Sequence, residues 1–156
     1  LWGDYKVTKL FDGRGRLSND QVRERLVQEM ASQATHGVQY WPIFLSETGK
    51  HVGCAGLRPY NLTRNIFELG LHIRSKCWRQ GYAYEAALGV FAYAFDTLNL
   101  VELFAGHHPK NQASKNLLIK LGFCYTHDEY YEPTGLQHPS YRLTVETYRQ
   151  IYKIDE

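Results

Sequence analysis

Few cysteines, little net charge and no long apolar run set the first limits on this chain. The three cysteines, Cys54, Cys77 and Cys124, are odd in number and far apart, a pattern that fits neither a disulfide framework nor a zinc cluster. Reduced thiols in a cytoplasmic protein are the expectation. Net charge is only +2 with a pI near 8.4, and the basic residues are scattered, so the electrostatic footprint of a nucleic-acid binder is missing. The longest apolar stretch, 86–95, is broken by Gly89 and falls well short of the roughly 20 residues that a membrane span needs. Nothing ahead of the first helix reads as a basic-then-apolar leader, and a first residue of Leu1 rather than Met suggests that the natural N-terminus lies further upstream.

What is present is enough apolar residue for one core. A chain of 156 residues with 44% hydrophobic content predicts a single domain, 1–156. Ser18 followed by Gln21 forms a capping box, and Val22, Leu26, Val27 and Met30 recur at helical spacing, predicting a helix from about Asn19 to Gln33. Tyr40 to Leu45 and His51 to Leu57 read as a hairpin. From Asn65 to Arg74, Phe67, Leu69, Leu71 and Ile73 alternate with Glu68, Gly70, His72 and Arg74, which predicts a strand with one oily and one polar face. Ala83 to Leu98 has almost no polar face and predicts a buried helix. A strand at 100–105 follows, then a helix over 111–121 capped by Asn111 and closed by Gly122. Strands at 123–130 and 140–144 and a terminal helix from Val145 to Ile154 complete an α+β order.

The segment between the third strand and the buried helix, Lys76-Cys77-Trp78-Arg79-Gln80-Gly81-Tyr82-Ala83-Tyr84-Glu85-Ala86, invites a chemical reading. A strand that feeds a glycine turn at a helix start gathers unpaired N–H groups at the positive end of the helix dipole, where an anion is stabilised. Gly81 permits close approach of the backbone, Ala83 keeps the helix start uncluttered, and Arg79 adds a charge able to pair with phosphate oxygens. An ordinary strand-to-helix turn would look much the same.

Three ordered blocks narrow the reading. Trp78-Arg79-Gln80-Gly81-Tyr82-Ala83-Tyr84-Glu85-Ala86, then Asn111-Gln112-Ala113-Ser114 with Leu121-Gly122-Phe123, and the preceding Phe67-Glu68-Leu69-Gly70-Leu71 together resemble the GNAT acetyltransferases, in particular their RimJ/RimL-like branch. The resemblance covers roughly Trp41 to Leu143. It implies the GNAT fold, a mixed, mostly antiparallel sheet flanked by helices and splayed between the strands around 65–74 and 100–105. It also implies acetyl-CoA as acyl donor, held by Arg79, Gln80, Gly81, Tyr82 and Ala83, with no metal. Trp78 stands where the superfamily consensus has Gln or Arg. The family's first strand normally precedes the first helix, and the resemblance starts this chain after it, the strand being either cut off or replaced; an exposed edge strand there would invite pairing and a homodimer.

The implied reaction transfers acetyl to a primary amine, either a peptide N-terminus or a small molecule. An ammonium has no free lone pair, so a base must remove its proton. Glu68 is the candidate, with a pairing role to Arg64 or Arg74 as the alternative, and His72 is a second candidate base because imidazole titrates near neutrality. The oxyanion would be held by backbone N–H groups at Leu71, His72 and Ile73. Many superfamily members protonate the departing thiolate with a tyrosine at the position that Leu118 fills here. The resemblance therefore points to Ser114 near the thioester sulfur and Asn111 near the pantetheine, although the pair could equally be a simple helix cap. The seven histidines, His107-His108 among them, show no metal-site spacing. Tyr125, Tyr130, Tyr131, Tyr141 and Trp41 are packing residues or the lining of an acceptor cleft. A non-catalytic acyl-CoA-binding module is the other reading.

Overall fold

The computed structural model describes residues 1–153. In chain order its elements are α1 (Tyr5–Thr8), α2 (Asn19–His36), β1 (Tyr40–Phe44), β2 (His51–Asn61), β3 (Ile66–Ile73), α3 (Tyr82–Phe91), β4 (Glu102–Gly106), α4 (Gln112–Lys120), β5 (Cys124–Tyr131), β6 (Leu136–Thr144) and α5 (Val145–Tyr152). The predicted end of the last helix, Ile154, lies outside the described residues. One six-stranded sheet runs in the order β1-β2-β3-β4-β6-β5, and only the β3–β4 pair is parallel. This is the mostly antiparallel α+β sheet that the sequence predicts.

Local chemistry fixes the element ends. The Ser18 hydroxyl accepts from the Gln21 amide at 3.2 Å while the Gln21 side chain accepts from the Ser18 amide at 2.8 Å, a reciprocal cap that satisfies two helix-start donors. Asn111 caps α4 and Thr144 caps α5 by accepting from the amide three residues on. The predicted buried helix is α-helical only to Phe91 and then widens into a π-helical turn over Ala92–Thr97, keeping Ala94 and Phe95 in the core. The spacing in α2 marks the helix correctly but not its buried side. Leu26, Val27 and Met30 are exposed, and Glu29 is the buried residue. Glu29 earns that place because one of its oxygens accepts from the Tyr40 amide at 2.7 Å and the other from Arg25 Nε at 2.9 Å.

Strand alternation divides the sheet into two faces. Ala55, Leu57, Phe67, Leu69, Leu103 and Ala105 join residues of α3, α4 and α5 in the main core. On the opposite face Tyr40 and Cys54 pack with Trp2 and Leu17 in a second cluster, supplied by an N-terminal segment whose apolar residues follow no period and are not legible as an element. The alternation predicted for β3 holds, yet its polar face is covered. Gly70 lies under the Tyr40 ring so closely that any added β-carbon would overlap it. Substituting Gly70→Ala should therefore destabilise the fold by about 1–3 kcal/mol through overpacking, read as a lower urea midpoint; an unchanged midpoint would show that Tyr40 is free to move.

Candidate active site

The site begins where two strands part. Parallel pairing of β3 with β4 covers only Ile66/Glu102, Phe67/Leu103 and Glu68/Phe104. Beyond Glu68, β3 runs on to Ile73 bound to β2 alone, and β4 runs to Gly106 bound to β6. A wedge opens between them. The Arg74 amide donates to the Val52 carbonyl at 2.8 Å, and antiparallel ladders alternate, so the backbone groups of Leu71 and Ile73 face the wedge while those of His72 are turned into β2. This corrects the expectation for His72, whose amide is not presented with those of its neighbours.

The turn after β3 is built to leave amides unpaired. A short 3-10 turn, Ser75–Cys77, leads into Trp78, whose indole donates to the Ile73 carbonyl at 2.8 Å. Arg79 and Gly81 both take positive φ, +59° and +83°, and Gly81 is the cap of α3 with no side-chain bond to the helix start. Among the described residues, none of the backbone N–H groups from Arg79 to Tyr84 donates to another group of the protein. Six consecutive unpaired donors at the positive end of a helix are the arrangement that suits an anion. Among the described residues nothing crowds the space beside Gly81, so its φ and access to that space are what glycine provides. Arg79 and Gln80 are exposed, Tyr82 and Ala83 half-buried; the Gln80 amide group reaches back to the Lys76 carbonyl at 3.4 Å. These residues fit the linked phosphates of a nucleotide cofactor.

On the other face, Glu68 is half-buried. Its carboxylate makes no hydrogen bond among the described residues. Burial raises its pKa above the usual 4.5; Arg58 and Arg25 pull it down and Glu129 pushes it further up. Arg58 is its direct cross-strand neighbour, so the expected partners Arg64 and Arg74 are not the cations beside it. Tyr60 donates to Glu129 at 2.6 Å and stacks on Phe104 at 4.0 Å between centroids. Of the tyrosines considered from sequence, Tyr131 lies in the electrostatic surroundings of Glu68, Tyr141 is in the main core, and Tyr125 and Tyr130 are exposed. Trp41 donates to Gln33 at 3.1 Å.

His72 does not stand free in this cleft. Trp2 Nε1 donates to its Nδ1 at 3.0 Å, and the Phe11 ring stacks on it at 4.3 Å. Enclosure holds its pKa down to about 3, which removes the basicity near neutral pH that made imidazole attractive. Arg58, Arg25, Tyr40, Trp2 and Phe11 were all missed in the sequence. The period of β2 could have placed Arg58 opposite Glu68 had the hairpin register been known; the N-terminal aromatics carried no signal.

Helix α4 starts six residues past the end of β4. Asn111 Oδ1 accepts from the Ser114 amide at 3.1 Å, so the capping reading of the pair describes their geometry. That bond leaves Asn111 Nδ2 and the Ser114 hydroxyl without protein partners among the described residues. Leu118 is buried. His107 and His108 diverge as adjacent strand-end residues should: His107 Nε2 meets the Tyr141 hydroxyl at 3.1 Å, and the His108 ring lies 5.6 Å from that of His138. Among the described residues no three His, Cys, Asp or Glu side chains are grouped to hold a metal ion, and no helix is long and apolar enough to cross a membrane.

Comparison with known proteins fits this geometry. The chain is 28% identical over 107 residues to the uncharacterised protein YkkB of Bacillus subtilis, covering 68% of this chain and 62% of that one. It is 31% identical over 120 residues to the N-acetyltransferase YoaA of the same organism, also uncharacterised, covering 76% and 67%. A GNAT-family acetyltransferase from Bacillus anthracis shares the fold with a TM-score of 0.78 at 22% identity, over 92% of this chain and 84% of that one. A protein proposed to be a ribosomal-protein-serine acetyltransferase from Vibrio cholerae superimposes with a TM-score of 0.73 at 20% identity, over 82% and 76%. Residues 1–124 match the Acetyltransferase (GNAT) domain family. The wedge, the unpaired amides and that match lead to one conclusion: this chain belongs to the GNAT acetyltransferases.

Proposed function

We propose that the chain is a cytoplasmic N-acetyltransferase of the RimJ/RimL-like branch, a single catalytic domain that moves acetyl from acetyl-CoA to a primary amine. The observation that carries this reading is the run of unpaired amides from Arg79 to Tyr84 at the mouth of a wedge whose other side holds an unbonded, half-buried carboxylate. The amides and Arg79 hold the pyrophosphate; Asn111 bonds the pantetheine through its free Nδ2. The amine arrives from the Glu68 face.

Glu68 takes the proton of the incoming ammonium, directly or through water, and the neutral nitrogen attacks the thioester carbonyl carbon. A C–N bond forms, negative charge develops on the carbonyl oxygen, and the wedge-facing amides of Leu71 and Ile73 stabilise it. The C–S bond then breaks as the nitrogen gives up its second proton, which passes by way of the Ser114 hydroxyl to the departing thiolate, since Leu118 cannot supply one. The acceptor is a peptide N-terminus or a small amine. A homodimer through the edge strand β1 is compatible with this arrangement, because β1 has only one strand neighbour.

Glu68→Gln should lower kcat by about two orders of magnitude or more, the usual worth of a general base, while titration calorimetry finds acetyl-CoA binding intact. Because burial raises the Glu68 pKa, kcat/KM of the wild type should fall as pH drops through a value above 4.5, where the base becomes protonated. That acid limb should vanish in Glu68→Gln. Ser114→Ala should lower kcat with little change in cofactor binding. Unaltered turnover in both variants would favour the acyl-CoA-binding module instead. Gly81→Val, forced into a left-handed backbone at about 1–2 kcal/mol and carrying bulk toward the phosphates, should weaken CoA binding at least about ten-fold; wild-type affinity would place the cofactor elsewhere.

A further inference from the structure

The Glu68 face holds more positive charge than its internal pairs use. Arg25 donates through Nε to Glu29, and Glu29 also serves the Tyr40 amide, so that carboxylate is fully engaged. Arg25 Nη2 is buried and has no hydrogen-bond partner among the described residues. A buried donor in that state is rare unless water or a ligand completes it. The Arg25 guanidinium lies 5.0 Å from the Trp2 ring centroid and 5.3 Å from that of Tyr40. Arg58 lies against the same Tyr40 ring at 5.0 Å. Its five donors form no hydrogen bond or close ion pair with any described residue. Arg142, a further guanidinium of this face, is committed to Glu102 at 2.5 Å. Two cations thus share one aromatic ring with a single uncommitted carboxylate, Glu68, beside them.

We infer that Arg58 forms a carboxylate-binding subsite next to Glu68, so that the acetyl acceptor is an amino-acid-like small molecule whose primary amine and carboxylate are one or two carbons apart. The inference rests on the acetyl-transfer reading of Glu68. A planar guanidinium matches a carboxylate with two parallel hydrogen bonds. Directly opposed residues of an antiparallel pair hold their β-carbons roughly 4.5–5.5 Å apart, so a carboxylate seated on Arg58 delivers a neighbouring amine to Glu68. The cross-strand register Arg58/Glu68 roots the two side chains next to each other on one face of the sheet. No hydrogen bond within the described residues occupies the Arg58 donors, so an arriving anion meets them without displacing an internal partner. A polyamine would bring a second cation against Arg58, and like charges in a desolvated cleft repel. A peptide N-terminus offers a neutral amide at the same place.

The test pairs each of a set of free amino acids with its own carboxamide, adds spermidine as a polycationic probe, and follows thiol release from acetyl-CoA. The wild type should show kcat/KM roughly ten- to hundred-fold higher for acids than for carboxamides, the worth of a charged hydrogen-bonded contact. Arg58→Gln should bring the two to within about three-fold while leaving acetyl-CoA affinity unchanged, and Arg58→Lys should fall between. The acid-to-carboxamide ratio of the wild type is decisive even if a variant fails to fold. Equal use of acids and carboxamides, preference for spermidine, or an acid preference that survives Arg58→Gln would overturn the subsite. Calorimetric titration of the same panel onto CoA-saturated protein separates the two readings. Acid-selective binding without thiol release keeps the subsite and rejects acetyl transfer; binding without selectivity, again without thiol release, rejects both.

Discussion

The early end of the β3–β4 ladder is the constraint on which the rest depends. Three residue pairs hold the two strands together, and after Glu68 and Phe104 each strand keeps only its outer partner. Sheet backbone that loses a neighbour exposes donors and acceptors that must be satisfied by something else. Here that backbone sits in the middle of the sheet, next to the start of α3, where six more amides are unpaired. The parting therefore concentrates donors in one place without putting them at an aggregation-prone edge. Its stability comes from the strands on either side: β2 binds β3 along almost its whole length, and β6 binds β4 along all of it.

The sheet also keeps two chemistries apart. The face that carries Phe67 and Leu69 is dry and packs against α3, α4 and α5. The face that carries Glu68, Gly70 and His72 is enclosed by aromatic rings and guanidinium groups, with Trp2, Phe11 and Tyr40 around the imidazole. Alternation along a single strand places the carboxylate on one side, while the backbone edge of the same strand serves the wedge. Gly70 matters to both, since only a residue without a β-carbon lets the Tyr40 ring lie where two arginines meet it.

Local features were legible in the sequence. The Ser18–Gln21 capping box, the Asn111 cap and the alternation of β3 depend on residues within a few positions of each other, and all appear in the structure. The β3–α3 turn could be located from Gly81 alone. Features that depend on strand register or on distant packing were not legible. Arg58 became the neighbour of Glu68 only once the β2–β3 register was fixed. The apolar stripe of α2 faces outward because Glu29 and Gln33, not Leu26 or Met30, answer the polar groups of β1. His72 looked like a cleft imidazole until Trp2, 70 positions away, was found donating to it.

Amide hydrogen exchange with and without CoA tests the central claim most directly. Residues 79–84 have no internal acceptor among the described residues, and the wedge-facing amides of Leu71 and Ile73 have lost their strand neighbour, so all should exchange quickly in the free protein and become protected when the cofactor binds. The alternating amides of Gly70 and His72, already bonded to β2, should change little. Protection that instead appears in the groove lined by Trp41, Ile43, Val90 and Tyr93, with 79–84 unchanged, would contradict the account.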